Sequence, residues 1–168
     1  MYHLMKTLLL LRHAKSSWKD SDVDDHDRPL NKRGKKDAPR MGRLLREEDV
    51  LPDLIVASSA RRCRKTAEHV IQHSGYRGET RITGELYEAD ASKLRAILAV
   101  LPDYVQRVLL LGHNPGMEEL LESLAGAYTP LTTAALAQLE LPIDSWSGLT
   151  SQTRAELARL WQPRELED

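Results

Sequence analysis

Phenylalanine is absent from this 168-residue chain, and the three Trp and five Tyr bring the aromatic share to only 5%. A core must therefore be built from Leu, Val, Ile and Ala, and single-stranded nucleic acid finds few rings on which to stack its bases. Cysteine occurs once, as Cys63, which excludes an internal disulfide and a multi-cysteine zinc site and points to a reducing compartment. Neither sign of charge dominates: 24 basic residues face 25 acidic ones, for a net charge of −1. No global field draws the chain onto nucleic acid or an acidic membrane, so any anion must be recognised by a local cluster. No apolar run approaches the ~20 residues of a membrane span. Leu8 to Leu11, after Thr7, is too short for a secretory leader and lacks a small-residue cleavage site. These absences predict a cytoplasmic protein that partners neither nucleic acid nor membrane. With only 9 Gly and 8 Pro, the chain is not collagen-like or disordered. Its length suits one domain over residues 1–168, large enough to fold without a metal or disulfide staple.

What the chain does have is three short apolar runs, each followed at once by a polar cluster. Thr7 to Leu11 runs into Arg12-His13, Leu54 to Ala57 into Ser58-Ser59-Ala60-Arg61-Arg62, and Val108 to Leu111 into Gly112-His113-Asn114-Pro115-Gly116. Continuous apolar runs of this length read as strands buried on both faces, as in a parallel sheet. Helical spacing falls between them. Ala38, Met41, Leu44 and Leu45 share a face, with Pro39 expected in the first turn, where its missing N–H is harmless. Further helices are expected over Ala60 to His73, ended by Gly75; after the N-cap Asp90, carrying Leu94, Ile97, Leu98 and Leu101; and from Pro115, carrying Met117, Leu120, Leu121 and Leu124. This alternation predicts a three-layer α/β/α domain with a mainly parallel sheet. In the last forty residues, Ala135 to Leu141 reads as strand or helix, and Glu156 to Trp161 scores as helix by its spacing.

In open α/β sheets, ligands bind beyond the carboxyl ends of the strands. Arg12, His13, Arg62 and His113 all fall there. Two guanidiniums and two imidazoles, with no Asp or Glu in the same clusters, suit a dianion. Phosphate fits best, because the planar guanidinium fork bonds two oxygens at once. A lone His or Arg after a strand is ordinarily a solvated loop residue; three such clusters in one topological position are what raise the signal. Asp20 to Asp27, with five Asp, reads as a solvated acidic loop. Its opening imitates a calcium loop, but Asp25 stands where Gly is required and Asn31 where Glu is required.

The same blocks resemble the histidine phosphatase, or phosphoglycerate mutase-like, superfamily. Leu11-Arg12-His13-Ala14-Lys15 is similar to its Arg-His-Gly signature, with Ala14 in place of Gly. Ser58 to Ala67 looks like its second block, in which an Arg lies four residues before a Thr, selecting Arg62 ahead of Thr66. Gly112-His113-Asn114 looks like the third block, and Asp27-Arg28-Pro29-Leu30-Asn31-Lys32-Arg33-Gly34 like the run leading into the first helix. Order, spacing and length most resemble the compact SixA-type phosphohistidine phosphatases, without large cap insertions, over residues 6 to about 125; Pro163-Arg164-Glu165-Leu166 again looks family-like.

The resemblance implies that His13 carries the phosphoryl group as a covalent intermediate, while Arg12, Arg62 and His113 hold the equatorial oxygens. It further implies that no metal or other cofactor is needed, since these cations neutralise the charge. Glu85 is the best positional match to the family's proton donor, with Glu88 as substitute, and Arg28 is an additional substrate contact. The partner implied is a protein bearing phosphohistidine, or else a small phosphorylated metabolite. A mutase would need Arg28, Lys15 or Arg61 for a second phosphate. A phosphate-binding module without turnover is a third reading, against which the retained His13 speaks. Other chemistries fare worse. His69 and His73 lack a third metal ligand, Cys63 has His69 where a tyrosine phosphatase needs Arg, and Ser58 and Ser59 lack the glycine elbow of a serine hydrolase. The basic run Lys32, Arg33, Lys35 and Lys36 is a solvated face or a steering patch for an acidic protein.

Overall fold

A computed structural model describes residues 5–166 of the chain. Its centre is a six-stranded sheet of β1 (Lys6–Arg12), β2 (Leu54–Ser58), β3 (Glu79–Thr83), β4 (Arg107–Gly112), β5 (Leu136–Leu141) and β6 (Glu156–Trp161), in the spatial order β3-β2-β4-β1-β5-β6. The pairings β1–β4, β2–β4 and β2–β3 are parallel; β5 and β6 add two antiparallel pairings on the other side. The sheet is thus mainly parallel, as the apolar runs predict.

Side chains alternate across a strand, so a run buried on both faces must be apolar throughout. Leu8 to Leu11 and Val108 to Leu111 are all fully buried. Leu8, Leu10, Val108 and Leu110 face one core, which α3 (Ala91–Ala99) and α4 (Gly116–Ala125) complete with Leu94, Leu98, Leu120 and Leu121. Leu9, Leu11, Leu109 and Leu111 face the other, completed by α1 (Lys32–Glu47) and α2 (Arg61–Ser74) through Met41, Leu45, Cys63 and Val70. These are the three layers. Among the described residues, no helix is long and apolar enough to cross a membrane.

Two expectations are corrected. Pro39 lies inside α1, not in its first turn. The helix begins seven residues earlier because Asn31 caps it, its side chain accepting from Gly34 N at 2.9 Å. Glu156 to Trp161 is a strand, not a helix. Leu157 and Leu160, three residues apart, pack on the same core, which regular two-residue alternation forbids. A bulge does it: Gln138 pairs with Arg159 and Leu139 with Leu157, so Ala158 is skipped. An extra residue in a half-buried edge strand therefore imitates helical spacing. The ambiguity over Ala135 to Leu141 resolves as strand β5, and β3, which carries no apolar run, is an edge the periodicity does not reveal.

Candidate active site

In the order β2-β4-β1, three mutually parallel neighbours end at one edge of the sheet. His13 follows β1, His113 follows β4, and Arg62 is the second residue of α2, which follows β2. The main chain at His13 is tied down on both sides. His13 N donates to Gly112 O at 3.1 Å, and Ala134 N lies 3.0 Å from both Arg12 O and His13 O. Ala134 takes up this place with a φ of 62°, a conformation few non-glycine residues adopt and one the surrounding bonds must hold. Thr66 completes the anchoring: its hydroxyl accepts from Ala14 N at 3.0 Å and donates to Arg62 O at 2.7 Å. One side chain thus fastens the His13-Ala14 loop to the helix that carries Arg62, which is a physical reason for an Arg four residues before a Thr. Ala14 is not among the residues with positive φ, so the backbone there does not need glycine.

His13 Nδ1 is 2.8 Å from Ala14 O. A carbonyl can only accept, so Nδ1 carries the proton and the lone pair lies on Nε2. Burial is the main cause that pushes the His13 pKa down, to about 3; the Ala14 bond opposes it, and His113, Arg62 and Arg12 add repulsion. The His113 ring lies 5.2 Å from that of His13, centroid to centroid. Its Nδ1 accepts from Arg62 Nη2 at 3.3 Å, and its Nε2 donates to Ser58 Oγ at 2.8 Å. Burial, then Arg62, lower its pKa to about 4, against a raising pull from Asp25. Both imidazoles are therefore neutral at physiological pH.

Arg12 donates through Nη1 to Leu131 O at 3.0 Å, an acceptor that Asn114 Nδ2 shares at 2.9 Å. Arg28 is buried, donating to Ser16 Oγ at 2.6 Å, with its guanidinium carbon 3.4 Å from the ring centre of the exposed Trp18. Arg12 Nε and Arg62 Nε are buried without an acceptor among the described residues. A cavity of about 210 Å³ is lined by Arg12, His13, Arg28, Arg62, His113 and Lys15, among others. Three guanidiniums and two imidazoles on one small cavity can hold a tetrahedral dianion. A second cavity of about 360 Å³ shares Arg62 and His113 and adds Asp25, Tyr87 and Glu88.

Asp25 is the site residue that sequence reasoning missed. Its carboxylate lies 3.1 Å from both Arg62 Nη2 and Arg28 Nε, and its carbonyl accepts from Arg62 Nη1 at 2.7 Å. The Tyr87 hydroxyl also donates to it, the first cause holding its pKa at about 2, with Arg62 and Arg28 assisting. The expectation that no carboxylate joins the cluster is thus overturned. The acidic loop folds back as a 3-10 turn, Asp25–Asp27, pinned by His26 Nε2 at 2.9 Å from Ser59 Oγ. The sequence signal available was its position three residues before Arg28. Glu85 is exposed in the 3-10 turn Gly84–Leu86 and lines neither cavity, whereas Glu88 lines the larger one. Cys63 is fully buried, and burial pushes its thiol up to about 12, so it is no nucleophile. Among the described residues there is no His, Cys, Asp and Glu group that could hold a metal, and His69 and His73 are stacked neighbours with ring centres 6.5 Å apart.

The lowered histidine pKa values make a pH prediction. A depressed pKa keeps imidazole neutral, and so nucleophilic, far below 6.5. We therefore expect kcat/KM, measured from pH 4 to 8 with a substrate whose own ionisation is corrected for, to hold level until it falls near pH 4. An acid limb centred near 6.5 would contradict the buried neutral pair. Stability has its own sign: between ~6.5 and the folded value, the unfolded imidazole binds protons that the native one does not, so stability falls as pH drops through that window.

A family model for the histidine phosphatase superfamily (branch 1) matches residues 8–109. An uncharacterized chloroplastic protein of Arabidopsis thaliana is 33% identical over 152 residues, covering 85% of this chain and 70% of its own length. Among solved structures, the candidate phosphohistidine phosphatase SixA of Agrobacterium tumefaciens superposes with a TM-score of 0.82 at 30% identity, covering 94% of this chain and 98% of its own. Its counterpart from Nakamurella multipartitia gives a TM-score of 0.79 at 29% identity, covering 95% and 96%.

Proposed function

The chain belongs to the histidine phosphatase superfamily, branch 1, and from that premise we propose that it is a phosphatase that takes the phosphoryl group onto His13 and acts on phosphohistidine in proteins. The observation that carries this reading is the His13 tautomer: with Nδ1 committed to Ala14 O at 2.8 Å, the lone pair on Nε2 is free to attack phosphorus. Nε2 forms the bond to phosphorus as the bond to the leaving group breaks. Water then attacks the phosphohistidine, phosphate departs, and the imidazole returns to its neutral form. Arg12, Arg62, Arg28 and His113 surround the cavity where the equatorial oxygens carry the charge of a loose transition state. The larger cavity beyond Arg62 and His113 receives the leaving group.

Asp25 is held as an anion and so is not a proton source. Glu88, on the wall of the larger cavity, is better placed for that role than Glu85. A phosphohistidine leaving nitrogen can arrive already protonated, so a dedicated acid matters less than for an alkyl phosphate. A protein substrate is supported by the open rim, where Trp18 is 74% exposed and Lys15 is exposed, and by likeness to the SixA structures. The test is phosphate release from a phosphohistidine peptide beside sugar and glycerate phosphates, without added metal. Release from the peptide is expected to dominate. Preference for a metabolite would replace the substrate assignment. Silence on every substrate together with phosphate binding would favour a binding module.

A further inference from the structure

The His13 cavity does not end at His13. Its wall continues through Lys15 and Thr133 into a cavity of about 160 Å³ that Arg33 and Arg164 complete. Arg33 and Arg164 in turn line a groove of about 720 Å³ with Lys19 and Lys32. Three separate stretches of chain are brought together to make this track. Lys15 follows β1, Arg33 lies in the first turn of α1, and Arg164 sits in the C-terminal 3-10 turn Pro163–Glu165. The packing that gathers them is tight. Gly34 lets the start of α1 abut the Lys15 backbone so closely that a Cβ there would fall 2.1 Å from Lys15 O, while Asn31 N donates to that oxygen at 3.0 Å. Arg40 Nη1 donates to Pro163 O at 2.8 Å, fixing the turn that carries Arg164 against α1.

Among the described residues, the single acidic one lining the groove is Asp37, which is buried and lies 3.5 Å from Arg33 Nε. Among the described residues, Lys15, Lys19, Lys32 and Arg164 have no acidic partner. On a chain with a net charge of −1, a concave surface on which Lys and Arg far outnumber the one carboxylate, Asp37, leading away from the His13 cavity, is a local device, not a consequence of composition. Among the described residues, no aromatic ring lines the groove or the small cavity, which disfavours bases stacked along it, and a concave track does not match a flat membrane.

Resting on the phosphatase reading above, we infer that this track is a docking groove for an acidic polypeptide segment of the phosphorylated protein. Carboxylates of that segment meet Arg33, Arg164 and Lys15 while its phosphohistidine enters the His13 cavity. The basic groove thereby selects phosphoproteins that carry acidic residues close to the phosphorylated one.

The test compares three substrates at low salt: a phosphohistidine peptide with acidic flanks, the same peptide with neutral flanks, and inorganic phosphoramidate. The acidic peptide is expected to exceed the neutral one in kcat/KM by about tenfold or more, an advantage that salt erodes. The double variant Arg33→Glu/Arg164→Glu is expected to remove that advantage and leave phosphoramidate turnover within about twofold, since neither residue touches the phosphoryl cavity. Arg154→Glu, a change of the same kind outside the groove, should leave the advantage in place. Equal kcat/KM for the two peptides overturns the inference, as does an equal loss in Arg154→Glu. If no substrate is turned over, the phosphatase reading fails on its own. Fluorescence polarisation of the unphosphorylated acidic peptide then decides the groove by the same variants. Tighter binding of an oligonucleotide or an anionic vesicle than of the peptide would likewise overturn it.

Discussion

His13→Ala is expected to abolish phosphate release, by at least ~10³-fold, while binding of inorganic phosphate weakens by no more than about tenfold. The two readouts separate because they rest on different groups. On the proposed mechanism covalent transfer needs the lone pair on Nε2, and among the described residues no other group of the site is placed to supply it: Cys63 is buried as a thiol with its pKa pushed up to about 12, and His113 has Nδ1 turned to Arg62 and Nε2 to Ser58. Anion binding needs cations, and Arg12, Arg28 and Arg62 all remain. Alanine also removes the volume of the ring without placing a charge in the cavity. Calorimetric titration with phosphate beside a turnover assay is sufficient. Turnover unchanged in the variant would exclude His13 as the phosphoryl carrier. Loss of turnover and binding together would make it a binding group only.

Much of this site was legible in the sequence for a physical reason. Strands buried on both faces announce themselves as unbroken apolar runs, and in a parallel sheet the residue after each run lies at the ligand edge. Leu8 to Leu11 and Val108 to Leu111 therefore located His13 and His113; Leu54 to Ala57 located the Arg61-Arg62 pair in the same way, and only the resemblance of Ser58 to Ala67 to the family's second block singled out Arg62. What stayed hidden depended on pairing that no period records. Asp25 reaches Arg62 across 37 positions from a loop whose composition reads as solvated. The Ala134 turn that holds the His13 backbone is set by hydrogen bonds to main-chain oxygens and so leaves no side-chain motif. β6 concealed itself through its bulge, and Pro39 misplaced a helix start that Asn31 determines. The groove beside the site was visible as a basic run, but its continuity with His13 depends on Gly34 and on the return of the C-terminal turn to α1.

Arg62 tests how far one guanidinium organises the rest. It reaches Asp25, His113 and the phosphoryl cavity at once, and its charge helps to depress the pKa of both histidines. Arg62→Ala is therefore expected to lower kcat/KM by about 10²–10³-fold, the scale of losing one preorganised donor to a developing charge. Unlike His13→Ala, it should weaken phosphate binding as well. Its pH profile should change in a defined direction. Without the guanidinium, His113 loses a repelling cation and keeps the attraction of Asp25, so it protonates at higher pH, and His13 follows to a smaller extent because Arg62 contributes less to its lowering than burial and His113 do. The acid limb of kcat/KM then moves up from near pH 4 toward the ordinary imidazole value. Arg62→Lys separates charge from geometry. An ammonium preserves the repulsion that holds the histidines neutral, so the acid limb stays low, but it lacks the planar fork that spans Asp25, His113 and an oxyanion together. Activity and phosphate binding should consequently fall in Arg62→Lys while the limb stays in place. A lysine variant of full activity would reduce Arg62 to a point charge, and an alanine variant that binds phosphate normally would remove it from the site.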